Sequence, residues 1–95
     1  MIDYKTENVI VRDIFEPKKS SIIEKIEYSF WWKNGERYGE LITIWFLPTV
    51  SFSYLCVEYQ LGEDVYNALI AADSVAKYWY KNIKDIAQYK ILKRK

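Results

Sequence analysis

Ile22-Ile23-Glu24-Lys25-Ile26-Glu27-Tyr28-Ser29-Phe30-Trp31-Trp32 is the stretch whose reading decides the fold. Ile22, Ile26, Tyr28, Phe30 and Trp32 fall on one face of an extended chain, with Glu24 as the exception, and Lys25, Glu27 and Ser29 fall on the other. A period of two with one apolar and one polar face predicts a half-buried strand. Lys33-Asn34-Gly35-Glu36 follows, and Asn-Gly is the pair that a tight hairpin turn favours. Trp31 and Trp32 are a puzzle within this strand. Adjacent residues point to opposite faces, so both indoles cannot enter one core. One of them is exposed, covered by another element, or used at an interface, where Trp is enriched.

Downstream, Leu41 to Leu47 is apolar on both faces, which predicts a central strand. Pro48-Thr49 turns the chain, and Val50 to Tyr59 reads as a partner strand with Phe52, Tyr54 and Cys56 on one face and Leu55 and Val57 on the other. Leu41 to Val57 holds seventeen uncharged residues. That is short of the ~20 a helical membrane span needs, and Pro48 inside it favours a hairpin. Upstream, Val9, Val11 and Phe15 alternate with Ile10, Arg12 and Ile14, another strand, before the polar turn Glu16-Pro17-Lys18-Lys19-Ser20.

The period changes after Gly62. Glu63 and Asp64 stand where a helix start favours negative charge, and Val65, Leu69 and Ala72 recur at helical spacing. Asp73-Ser74 interrupts, and either side chain can cap a second helix. Val75, Trp79, Ile83 and Ile86 then repeat on one face, with Lys77, Lys81, Lys84 and Gln88 on the opposite one. The expectation is an α+β fold: an antiparallel meander of three or four strands followed by two C-terminal helices packed on the sheet. Residues 1–95 make one domain, with residues 1–19 an N-terminal extension that contributes an extra strand.

Composition narrows the chemistry. The chain is 51% hydrophobic, too apolar for a disordered segment. It has no histidine, which removes the commonest general acid–base and metal-ligand residue, and its single cysteine excludes an internal disulfide framework and a multi-cysteine zinc site. Cys56, in an apolar strand without a histidine to activate it, reads as an inert thiol. Gly35, Gly39 and Gly62 form neither a Walker A loop nor a dinucleotide fingerprint. The expectation is therefore a protein that is not an enzyme, without catalytic residues, metal or cofactor. Met1-Ile2-Asp3-Tyr4-Lys5 lacks the basic start and apolar core of a signal peptide. With the lone thiol, this predicts a cytoplasmic location, in the host if the source is a virus.

Charge is segregated. The net formal charge is only +1, yet residues 77–95 hold seven basic side chains and one acidic. Such a face can be solvated surface that complements a helix dipole or an electrostatic footprint for phosphates. The second reading predicts a nucleic-acid interface formed by Lys77, Lys81, Lys84, Lys93, Arg94 and Lys95, with Trp31 or Trp32 stacking on a base.

From Ser20 onward the chain resembles the KTSC domain, the short module found at the C-terminus of some lysyl-tRNA synthetases and as a stand-alone small protein of microbes and their viruses. Ser21, Ile22, Ile26 and Tyr28 resemble its opening strand, and Ile42, Ile44 and Phe46 resemble its apolar-x-apolar-x-Phe strand. Phe52, Tyr54 and Val57 resemble its hairpin, and Val65, Tyr66 and Leu69 its first helix. Ala72-Asp73-Ser74, Tyr78-Trp79 and Asn82-Ile83-Lys84 resemble its most specific segment, with Tyr89 its closing aromatic. Thr49, Glu58 and Ala76 depart from the family's glycine, proline and glycine. The resemblance, over residues 20 to about 91, implies the same α+β fold and an RNA-binding role, with no catalytic residues to carry over. The leading expectation is a small non-enzymatic RNA-binding module. The alternative is a protein-interaction or regulatory adaptor that forms a homodimer through the aromatic hairpin at Trp31-Trp32.

Overall fold

The computed structural model describes residues 9–18, 20, 22–51, 53–85 and 88–94. Ser21, Phe52, Ile86 and Lys95, to which the sequence reading gives roles, lie outside the described residues. The elements run β1 (Val9–Phe15), β2 (Ile23–Lys33), β3 (Glu36–Phe46), β4 (Tyr54–Tyr59), α1 (Glu63–Ala71), α2 (Val75–Asn82) and β5 (Tyr89–Arg94). All five strands pair antiparallel in one open sheet, in the order β1-β2-β3-β4-β5. The fold is α+β, as expected, but it has five strands rather than three or four. The helices are not C-terminal either: they fill the connection between β4 and β5, and the chain returns to the sheet after them.

Local chemistry accounts for the strand boundaries. Asn34 and Gly35 have φ of 52° and 79°, the left-handed pair of a two-residue hairpin turn, so β3 begins at Glu36 rather than at Leu41. The exception at Glu24 is a register shift: Ile23 opposes Phe46 and Lys25 opposes Trp45, so the pairing slips at Glu24 and leaves it exposed. Ser20 Oγ accepts from the backbone N–H groups of Ile22 and Ile23 at 3.2 and 2.9 Å and closes the β1–β2 connection. The uncharged run from Leu41 to Val57 is β3, a connection and β4, with β3 central in the sheet. Within that connection Val50 N–H donates to Leu47 C=O at 3.2 Å, which turns Val50 into the core and delays β4 until Tyr54. Tyr54 packs on Phe46 while Cys56 opposes Trp45, because the pairing also slips between Tyr54 and Cys56. The two residues expected on one face are thereby divided. Among the described residues no helix is long and apolar enough to cross a membrane.

The core lies between one sheet face and the helices. Ile26, Tyr28, Ile42, Ile44, Phe46, Val57 and Tyr59 meet Tyr66, Leu69, Val75, Trp79 and Ile83. Val65 packs at its margin, less buried than its spacing predicts. Burial of a large side chain contributes ~1.5–3 kcal/mol. Polar contacts set the position of α1. Its N-cap is Gly62, which has no side chain to cap with. Glu40 of β3 substitutes: its Oε1 accepts from the Glu63 N–H at 3.3 Å and from the Tyr28 O–H. A Cβ on Gly62 would come within 2.6 Å of that carboxylate. Tyr66 O–H donates to Asp13 Oδ2 at 2.6 Å, tying α1 to β1.

Candidate nucleic-acid interface

The basic stripe depends on α2, and α2 is held from beneath. Ser74 has extended φ and ψ and its Oγ accepts from the Lys77 N–H at 3.3 Å. Of the two residues in the Asp73-Ser74 break, Ser74 is therefore the cap. Trp79 fixes the roll of the helix. It is fully buried, its ring centroid lies 4.9 Å from that of Phe46, and its Nε1–H donates to Tyr59 Oη at 2.8 Å. At the C-terminal end the N–H groups of Ile83 and Lys84 both donate to the Trp79 carbonyl at 2.9 Å.

With Trp79 inward, Lys77, Tyr80 and Lys81 face outward, and Tyr80 is 60% exposed. Lys84 continues the line one turn on. The positions follow the i, i+3, i+4, i+7 spacing of one helix face. Lys84 Nζ lies 5.1 Å from the Tyr80 ring centroid and 3.7 Å from Asp85 Oδ1. The result is an exposed aromatic ring with one ammonium group beside it and two further exposed lysines on the same helix face. The sequence reading singled out the lysines and missed Tyr80, although its position three residues after Lys77 and four before Lys84 was there to be read.

The other predicted residues lie elsewhere. Lys93 and Arg94 are not a free tail but part of β5, where Lys93 opposes Cys56 and Arg94 opposes Tyr54. Lys93 acts, with Lys25, on the Cys56 thiol, which opposes Trp45 away from the helix-side core. Lys93 is therefore separated from the α2 stripe by the sheet. Lys95 lies outside the described residues. Trp31 is 4% exposed and lies against Gly39, where a Cβ would overlap its ring. Trp32 is 37% exposed and meets Phe30 edge-on at 5.7 Å. Trp32 opposes Arg37 and α2 packs on Phe46, so at ~3.3 Å per residue the two are roughly 30 Å apart along β3. The structure does not bring the hairpin tryptophans and the lysine stripe together.

Beneath the end of α2, Tyr54, Val57, Tyr59, Lys84, Asp85 and Tyr89 surround a cavity of about 230 Å³. Burial pushes the Tyr59 hydroxyl up to about 12, although the Trp79 hydrogen bond opposes the shift. Burial raises Tyr54 as well, against the pull of Lys84. Both phenols are protonated at neutral pH. Cys56 is buried in β4, and burial, reinforced by Glu27, pushes its thiol up to about 11. That disfavours the thiolate a nucleophile needs. Comparison of the chain with protein-family models, with characterised proteins and with solved structures finds no match.

Proposed function

We propose that the protein is a small non-enzymatic nucleic-acid-binding module whose ligand is single-stranded RNA. The observation that carries this reading is the line of exposed Lys77, Tyr80 and Lys81 on α2 with half-buried Lys84 one turn on, its ammonium beside the Tyr80 ring. Lysines supply the phosphate contacts that dominate affinity, and an exposed ring is a platform on which any unpaired base can stack. The resemblance of residues 20 to about 91 to the KTSC domain points the same way. Arg94 of β5, opposite Tyr54, would extend the basic surface along that edge, whereas Lys93 stands across the sheet from it. The alternative, an adaptor that self-associates through the aromatic hairpin, has fewer groups to draw on, because Trp31 is buried and Trp32 leaves one partly exposed ring.

The test is a fluorescence-anisotropy titration of a labelled ten-residue oligouridylate. Three neutralised phosphates on a single strand predict a roughly 20-fold loss of affinity between about 50 and about 200 mM salt. Lys77→Gln combined with Lys81→Gln reduces both the affinity and the salt slope. No binding at the lower salt overturns the reading.

A further inference from the structure

The geometry points to the cavity at the end of α2 as a pocket for one unpaired base, with the Watson–Crick edge of guanine as its best fit. This inference rests on the RNA-binding reading and deepens it. The cavity is about 230 Å³, below the ~300–1,000 Å³ of sites that hold drug-sized ligands or cofactors. That size suits a single ring system. Lys84, the last member of the lysine line, is one of its lining residues, so the cavity lies at the end of that line.

Its walls carry the functional groups a base requires. Tyr59 is buried in the floor, where its oxygen accepts from the Trp79 indole. Its own O–H has no acceptor among the described residues, which leaves a spare donor on a residue that lines the cavity. Asp85, largely exposed, offers carboxylate oxygens at the mouth, and Lys84 beside it offers a further donor. Tyr89, 52% exposed, stands at the rim with its ring centroid 6.2 Å from that of Tyr59. A ring placed there finds an aromatic surface, a carboxylate acceptor and one or two donors.

Guanine matches this set better than the other bases. Its Watson–Crick edge presents two adjacent N–H donors, N1–H and the 2-amino group, which two carboxylate oxygens can accept together. Its O6, next along the same edge, is an acceptor for the Tyr59 hydroxyl or the Lys84 ammonium. Uracil offers a single N–H donor, and adenine presents a ring nitrogen acceptor where the carboxylate would need a donor. A bidentate contact discriminates against the wrong base by about 5- to 150-fold.

The experiment compares two probes on the full chain at about 100 mM salt: the ten-residue oligouridylate, and the same oligomer with one central guanine. The expected result is roughly tenfold tighter binding of the guanine probe. Asp85→Asn, an exposed substitution that preserves size, brings the guanine probe down to the level of the uridylate. Tyr59→Phe, verified as folded by thermal melting, weakens the guanine probe less than Asp85→Asn does, because Lys84 remains as a donor to O6. Equal binding of both probes by the wild-type chain overturns the pocket and leaves the RNA-binding reading standing. A guanine preference that survives in Asp85→Asn also overturns it. Failure of both probes to bind removes the RNA-binding reading, and the pocket with it.

Discussion

The two faces of the sheet bury comparable side chains by different means. On the helix side, Ile26, Ile42, Ile44, Phe46 and Tyr59 meet a second layer, and order comes from volume: Trp79 and Leu69 fill what the strands leave. On the other side Leu41 and Cys56 are fully buried, and Trp31, Ser29 and Thr43 nearly so, although none of these joins the helix-side core. Cover there comes partly from within the sheet. Trp31 lies over Gly39, and Trp45 Nε1–H donates to Glu27 Oε1 at 2.8 Å with the Lys25 ammonium 5.0 Å from its ring. One face is built by filling space, the other by laying indoles along the strands and fixing them with polar and ring contacts. Substitutions on the first should leave cavities. Those on the second should create overlaps or release charge.

The largest expected effect is on the filled face. Trp79→Ala removes the biggest fully buried side chain among the described residues and the partner of the Tyr59 hydroxyl. A loss of ~3–5 kcal/mol in urea unfolding is expected, the range for large-to-small core changes. Near-wild-type unfolding of this variant would show that α2 is not anchored through Trp79. The expected collapse of α2 also carries the lysine line with it, so RNA affinity should fall together with stability.

Smaller in energy, but sharper as a contrast, is Gly39→Ala. On a strand the change from glycine would ordinarily gain ~0.5–1 kcal/mol from the stiffer unfolded chain. Here the added Cβ would overlap the Trp31 ring, and overpacking costs ~1–3 kcal/mol. The sign of the measured change therefore decides between propensity and contact. Trp31→Leu supplies the second arm: the cost of Gly39→Ala should shrink in that background, because residues in contact are not additive. A stabilised Gly39→Ala protein, or a cost left unchanged by Trp31→Leu, would mean that the indole does not rest on Gly39.

The same contrast explains what could be read from the chain. Features set by neighbours in sequence were legible. The Asn34-Gly35 turn, the alternation of β2, the doubly apolar β3 and the inward line of Leu69, Trp79 and Ile83 are all local patterns. The Glu24 anomaly was visible too, as a break in period, though not its cause. What stayed hidden depends on partners far along the chain. Residues 77–95 read as a basic end, and the strand Tyr89–Arg94 within them stayed hidden because only its pairing with the distant β4 makes it one. Charged residues are also what an edge strand carries to discourage further pairing, so the same side chains fit either description. Trp31 could not be assigned without Gly39 opposite it. For the candidate site, the lysine spacing was legible, but the cavity needs Tyr89 from β5 and so could not be foreseen.

The smallest effect is electrostatic. Glu58 of β4 opposes Lys90 of β5 and is half-buried. Burial raises its carboxyl above the ordinary 4.5, and Lys90 only partly offsets this. The folded chain therefore keeps this proton to higher pH than the unfolded chain does, and between the two values the folded state binds more protons. Stability from this group is then fully present below the unfolded value and declines as pH rises through the folded one. Glu58→Gln cannot ionise, so it should lack that decline. Urea unfolding from about pH 4 to about pH 7 should show wild type and variant diverging as pH increases, with the variant the more stable at pH 7 by about 0.5 kcal/mol, the scale of an ordinary surface substitution. Divergence in the opposite sense, with the variant weakest at neutral pH, would mean that the attraction of Lys90 outweighs burial and that the strand pair is held by charge.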